Sequence, residues 1–199
     1  MGIRARCNVN YRYVAEELPY LLHDSAARGL VYHSAFAATL AEVLEGMTGP
    51  RTLIQVPDAS DNPLLPGAVW FDDALAASDP DPGVEPTPDD LYILYTGGTT
   101  GMPKGVLWRQ ADVYVSALGG RDRRTGDEWP GVESIVAVAR KGGKSRVMPL
   151  PPFMHGAGQW PALTGLLSGH TIIVPEVVER LDPASILSAV EREAATTLV

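Results

Sequence analysis

The 199 residues are 45% hydrophobic and 20% charged, a globular composition with length enough for a substantial core. No apolar run reaches the roughly 18 residues that a membrane-crossing helix needs, and "MGIRARCNVNYRY" lacks the apolar stretch of a secretory leader. A net charge of -8 argues against a nucleic-acid partner, and Cys7, the one cysteine, excludes an intrachain disulfide or a cysteine-based zinc site; a cytoplasmic location follows as the expectation.

In chain order, "CNVNY" (7–11) predicts a short strand, and 14–27 has helical spacing with Arg28-Gly29 as its stop. "LVYHS" (30–34) predicts a strand. A second helix is expected over 35–47, with Ser34 as N-cap and Gly46 near its end. "RTLIQV" (51–56) reads as a strand. Turn residues fill 57–70, and "FDDALAAS" (71–78) reads as a short helix.

The segment 79–90, "DPDPGVEPTPDD", carries four prolines and is a loop by composition. It lies in a stretch, Thr52 to Pro103, with nine acids and no Lys or Arg. The acidity is concentrated there and reads as a solvated acidic surface.

"LYILY" (91–95) predicts a strand, and "QADVYVSAL" (110–118) a helix. Residues 119–133 read as irregular, 145–150 as a strand and 151–158 as a turn. A helix over 159–169 is stopped by Gly169, and a strand follows at 170–175. The last helix, 182–195, opens on Asp182 with Pro183 at its first position. This β-α alternation predicts an α/β fold with a largely parallel sheet.

Between the strand 91–95 and the helix 110–118 stands "YTGGTTGMPKGV", Tyr95 to Val106. The expected arrangement is a strand, a loop across its carboxyl end, and a helix, which is where open α/β sheets bind ligands. Gly97, Gly98 and Gly101 let backbone N–H groups turn inward as an anion nest. Thr96, Thr99 and Thr100 add hydroxyls, and Lys104 a positive charge on a flexible stem. That set of groups suits a polyphosphate. It is not the G-x-x-x-x-G-K-[ST] loop, since Pro103 precedes Lys104 and Gly105 follows it. The later "GGKS" fails the same pattern, with Val138 where its first glycine is required.

"YTGGTTGMPKGV" closely resembles the phosphate-loop signature of the adenylate-forming superfamily: acyl-CoA synthetases, luciferases and peptide-synthetase adenylation domains. The usual core is Thr-Ser-Gly-Thr-Thr-Gly-x-Pro-Lys-Gly, and Gly97 stands where serine is common. Thr99-Thr100 resembles the acyl-CoA synthetase, or fatty-acid–CoA ligase, branch. "MPLPPFMHGAGQW" is similar to the segment that borders the acyl pocket in that family, and "NVNYRYVAEELPYLLHDSAARGLVYHSAFA" to an early region of it.

The resemblance implies a ligase that activates a carboxylic (fatty) acid with ATP to an acyl-adenylate, releasing pyrophosphate, and then transfers the acyl group to CoA. ATP and CoA would be its partners, magnesium its metal ion. Thr96, Gly97, Gly98, Thr99, Thr100, Gly101 and Lys104 would hold the ATP phosphates. His155 and Gly156 would line the acyl and carboxylate pocket. No residue is assigned a catalytic or metal-binding role. The family's later Tyr-Gly-x-Thr-Glu type motif and its lysine-bearing C-terminal domain have no match here. Residues 1–199 are thus expected to be a partial N-terminal AMP-binding domain. The alternative expectation is a truncated, non-catalytic relative that at most binds nucleotide.

Overall fold

The computed structural model describes residues 5–13, 16–79, 83, 85–97, 101–122, 124–141 and 144–199. In chain order the elements are β1 (Ala5–Cys7), α1 (Glu17–Asp24), β2 (Gly29–His33), a turn of 3-10 helix (Ser34–Phe36), α2 (Ala37–Leu44), β3 (Thr52–Val56), β4 (Ala68–Trp70) and α3 (Phe71–Ala76). They continue with β5 (Leu91–Thr96), β6 (Lys104–Arg109), α4 (Gln110–Ala117), α5 (Val132–Lys141), β7 (Arg146–Met148), α6 (Gly156–Leu167), β8 (Thr171–Ile172), α7 (Pro183–Arg192) and β9 (Thr197–Leu198). The strand pairs β1–β5, β2–β3, β3–β4, β7–β8 and β7–β9 are all parallel, as the alternation of elements predicts. No helix among the described residues is long and apolar enough to cross a membrane.

The chain divides into two compact units. One comprises 1–8, 87–94 and 106–199; the other comprises 9–86 and 95–105. The first holds two three-stranded sheets, ordered β1-β5-β6 and β8-β7-β9. In the second of these, β7 is central. The chain runs out through α6 to β8, then back through α7 to β9 on the other side of β7. Right-handed crossovers in opposite directions place α6 and α7 on opposite faces of this sheet. The packing agrees: Ile186, Ala189 and Val190 of α7 cover Met148 and Ile173, while Ile172 points at α6 beneath Gly165. Asp182 caps α7, its carboxylate accepting from the Ser185 N–H at 2.9 Å, with Pro183 at the first turn, as expected.

The other unit is built on the sheet β2-β3-β4. Its centre is Gln55, fully buried on β3. The Gln55 amide donates to the Ser34 hydroxyl and the Pro63 carbonyl, both at 3.0 Å. Its oxygen accepts from the Tyr32 hydroxyl at 2.8 Å and the Leu65 N–H at 3.0 Å. One side chain thereby fixes the loop 57–67 to two strands.

Several expectations are corrected. Ser34 is not the N-cap of α2. It is buried, its hydroxyl donating to Val56 O, and Phe36 holds the cap position without a side-chain bond. Asp58 supplies an acceptor from a distance instead, taking the Ala35 N–H at 2.8 Å. Helix α1 ends at Asp24, with Ser25 as its C-cap, before Arg28-Gly29. The first strand is centred on Arg6 rather than Val9, because its parallel partner is β5. The turn-rich stretch 57–70 ends in β4, which gains its ladder from β3. The stretch read as irregular ends in α5, whose run of apolar and charged residues has helical amphipathicity. Strand 104–109 separates the glycine-rich loop from α4, which does begin at Gln110.

Replacing Gln55 by Leu leaves the Tyr32 hydroxyl and the Leu65 N–H without their buried acceptor, and costs about 2–4 kcal/mol in urea-induced unfolding. The Asp58 carboxyl is held below its ordinary range by hydrogen bonds from Ser60 and the Ala35 N–H, with a smaller contribution from His33. A depressed carboxyl stabilises the fold above its unfolded pKa of about 3.9 and loses that contribution as pH falls through its lower folded value. The melting temperature of Asp58→Asn therefore falls below that of the parent at pH 6, and the gap closes below about pH 4.

Candidate functional site

The motif's flanks are built by β5 and β6. Residues 97–103 are too few for a parallel crossover, so the two strands form a hairpin. The glycine-rich loop is its connection, not the strand-to-helix loop that the sequence predicts. Gly98, Thr99 and Thr100 lie outside the described residues. Thr96 ends β5 and Lys104 opens β6, both exposed to solvent, and the Thr96 hydroxyl donates to the Lys104 carbonyl at 3.4 Å. This bond brings the two ends of the loop together and leaves the Lys104 ammonium to solvent. Gly97 has open space where a side chain would stand. Gly101 has φ +105°, a conformation that favours glycine. Beneath them the hairpin is anchored by Tyr95, which is buried and donates to Asp24 of α1 at 2.7 Å.

His155 and Gly156 belong to the other unit. Helix α6 begins at Gly156, three residues before the expected start, with His155 extended at its N-cap position. The His155 side chain makes no capping bond and is exposed; its carbonyl accepts from the N–H groups of Gly158 and Gln159. The early start is permitted by glycine. A Cβ on Gly158 would overlap the Pro151 carbonyl oxygen and stand 2.7 Å from that of Pro152. A Cβ on Gly156 would stand 3.0 Å from Leu94 on β5 and 3.2 Å from the Trp160 ring.

The first turns of α6 are joined to β5 and β6 by contacts that no local pattern announces. Tyr92 donates its hydroxyl to Gln159 at 2.6 Å. Burial pushes the Tyr92 phenol up, an effect that Trp160 partly offsets. Trp160 meets Trp108 edge to face, with centroids 5.8 Å apart. These partners lie 67 and 52 positions apart in the chain. Cys7 on β1 is half-buried, and burial raises its thiol to about 11. It is protonated at neutral pH.

Under α6 lies a cavity of about 600 Å³, within the range of small-molecule sites. Gly156, Ala157 and Trp160 line it on the helix, Val147 and Val199 on the strand side. Gly156 lines the cavity, and His155 lies one residue outside its lining. Among the described residues, no group of three or more His, Cys, Asp or Glu could hold a metal ion.

Residues 5–199 match the family model described as AMP-binding enzyme. The chain belongs to the AMP-binding enzyme family. It is 50% identical over 187 residues to a medium-chain acyl-CoA ligase, Mig, of Mycobacterium avium, covering 94% of this chain and 34% of that relative. It is 39% identical over 176 residues to a medium/long-chain-fatty-acid–CoA/3-oxocholest-4-en-26-oate–CoA ligase of Mycobacterium marinum, covering 85% of this chain and 32% of that relative. Among solved structures, the N-terminal domain of FACL13 from Mycobacterium tuberculosis superposes with a TM-score of 0.63 at 21% identity, over 98% of this chain and 42% of that one. The last likeness is one of fold. The chain spans about a third of the length of the curated relatives it matches.

Gly158→Ala forces α6 off the Pro151-Pro152 carbonyls. It destabilises the chain by about 1–3 kcal/mol in denaturant unfolding, and hydrogen exchange rises at 155–160 more than at α7.

Proposed function

We propose that these residues form the phosphate-binding and acyl-binding part of an AMP-forming acyl-CoA ligase, within its N-terminal domain. The observation that carries the proposal is "YTGGTTGMPKGV" on the β5–β6 hairpin of a chain that belongs to the AMP-binding enzyme family. Support comes from the left-handed Gly101, the space at Gly97, and the exposed Thr96 hydroxyl and Lys104 ammonium.

In this reading, loop N–H groups, the hydroxyls of Thr96, Thr99 and Thr100, and Lys104 hold the β- and γ-phosphates of ATP. A carboxylate oxygen of the acid attacks the α-phosphorus, and the bond to the bridging β-oxygen breaks. Negative charge grows on the departing pyrophosphate, where Lys104 and the loop dipoles stabilise it more than in the bound substrate. The sulfur of CoA then attacks the acyl carbonyl carbon, AMP leaves, and the thiol proton passes to solvent. Gly156, with no side chain, lets the acyl group pass beside α6; His155 flanks the carboxylate. Magnesium, where bound with ATP, would supply positive charge to the phosphates. The described residues offer no ligand cluster for it, so no step is assigned to a metal held by this chain.

Titration with ATP tests the phosphate site. The parent chain binds, and Lys104→Ala weakens binding about tenfold, the value of one hydrogen bond to a charged group. Equal affinity of parent and variant would remove Lys104 from the site. The purified 199 residues, incubated with ATP, CoA and a fatty acid, form no acyl-CoA detectable by mass spectrometry. Product formation would show that these residues suffice for both half-reactions, and would overturn the assignment of only the binding part to them.

A further inference from the structure

The loop between α4 and α5, turn-rich by composition, is held in one shape by its own hydrogen bonds. Gly119 and Gly126 have φ of +86° and +81°, a conformation that favours glycine. Arg121 and Glu128 form an antiparallel bridge. The Asp122 N–H donates to the Asp127 carbonyl at 2.9 Å, and the Gly126 N–H to the Asp122 carbonyl at 2.7 Å. Trp129 closes the loop: its backbone N–H donates to the Gly120 carbonyl and its indole N–H to the Gly119 carbonyl, both at 3.0 Å.

This loop forms one wall of a cavity of about 460 Å³, and α5 and the end of α6 form the others. The apolar lining is Trp129, Ile135 and Val138, with Leu167 of α6. Gly119, Thr164 and Ser168 are its small neutral positions; of the whole lining, only Thr164 and Ser168 also border the cavity that Gly156 lines. The remaining positions are charged: Arg121, Arg124 and Lys141 against the carboxylate of Asp122. In a chain of net charge -8, this one cavity is locally positive.

The cations keep capacity for a ligand. Asp122 accepts from the Arg124 backbone N–H at 2.8 Å and from its guanidinium at 3.3 Å. Arg121 donates to the Gly126 carbonyl and to Glu128, both at 3.1 Å. A guanidinium carries more N–H groups than these contacts use. The Arg121–Glu128 pair is more than half exposed on both sides, and such a pair is weak enough to yield to a bound anion. Lys141 has no hydrogen bond or ion pair among the described residues. It stands a turn beyond Val138 on α5, so its ammonium borders the apolar wall.

An uncharged alkyl chain would leave the cations unmet, and a bare inorganic anion would leave the apolar wall wet. We propose that this cavity is a binding site for a phosphate monoester carried on an apolar body. The phosphate, with a charge of about -1.5 to -2 at neutral pH, meets Arg121, Arg124 and Lys141. The body lies against Trp129, Ile135, Val138 and Leu167. The site shares no residue with the phosphate-loop motif, and it stands whether or not the chain is part of an acyl-CoA ligase.

Octyl phosphate, below its micellar concentration, tests this by calorimetry on the 199-residue chain. It binds saturably, and about a hundredfold more tightly than methyl phosphate, which has the same head and no body. Arg124→Ala and Lys141→Ala each weaken it about tenfold, the value of one hydrogen bond to a charged group. Both side chains are exposed, so the variants keep the parent's melting temperature, and their ATP affinity is the parent's. Octyl phosphate affinity unchanged in both variants overturns the site. Methyl phosphate binding as tightly as octyl phosphate overturns the apolar half of it. Sedimentation with phosphatidate vesicles, without saturable binding of octyl phosphate, overturns the cavity as the site and assigns its cations to a lipid surface. None of these failures touches the ATP titration of Lys104→Ala.

Discussion

Gly158 must pass the carbonyls of Pro151 and Pro152 at a distance that no side chain tolerates. Much of the first unit depends on that approach. It fixes where α6 starts and therefore which of its faces meets the strands. Gly165 repeats the device about two helical turns later, where a Cβ would stand 2.7 Å from Ile172. The cavity is lined along the helix from Gly156 to Ser168. A close-packed interior holds few voids larger than a water molecule, so a space of this size between a helix and its sheet needs structural support.

The second unit is organised differently. Its strands are tied to the loop 57–67 by one buried amide, Gln55, which meets hydroxyl, carbonyl and N–H partners from three segments. A buried polar group is costly unless satisfied, so a satisfied network selects one arrangement of the loop over its alternatives. Asp58 extends the same logic to the surface by holding the first turn before α2. The loop therefore has a fixed shape although it carries the residues of a flexible one.

The stems of the phosphate-loop motif are the paired strands β5 and β6. Tyr95, the first residue of the motif, is the point at which the hairpin is anchored: it is buried, and its hydroxyl reaches Asp24. Anchoring from below leaves Thr96, Gly97, Gly101 and Lys104 facing solvent, which is what a loop built to meet a phosphate requires.

Much of this was legible in the sequence because it is local. Alternating apolar runs gave the parallel α/β class. The Asp182-Pro183 start of α7, the Gly169 stop of α6 and the glycines of the phosphate loop are each set by one residue's conformational or capping preference. What the sequence by itself determined was therefore the order of most elements and the α/β fold class. Tertiary structure decided the rest. Lys104–Arg109 becomes a strand because β5 lies beside it, and Ser34 leaves its cap because Gln55 and Val56 take its hydroxyl. The union of Tyr92 with Gln159 and of Trp108 with Trp160 joins residues far apart in the chain. Their contacts depend on how helices cross strands, and no periodicity of 2 or 3.6 residues encodes that.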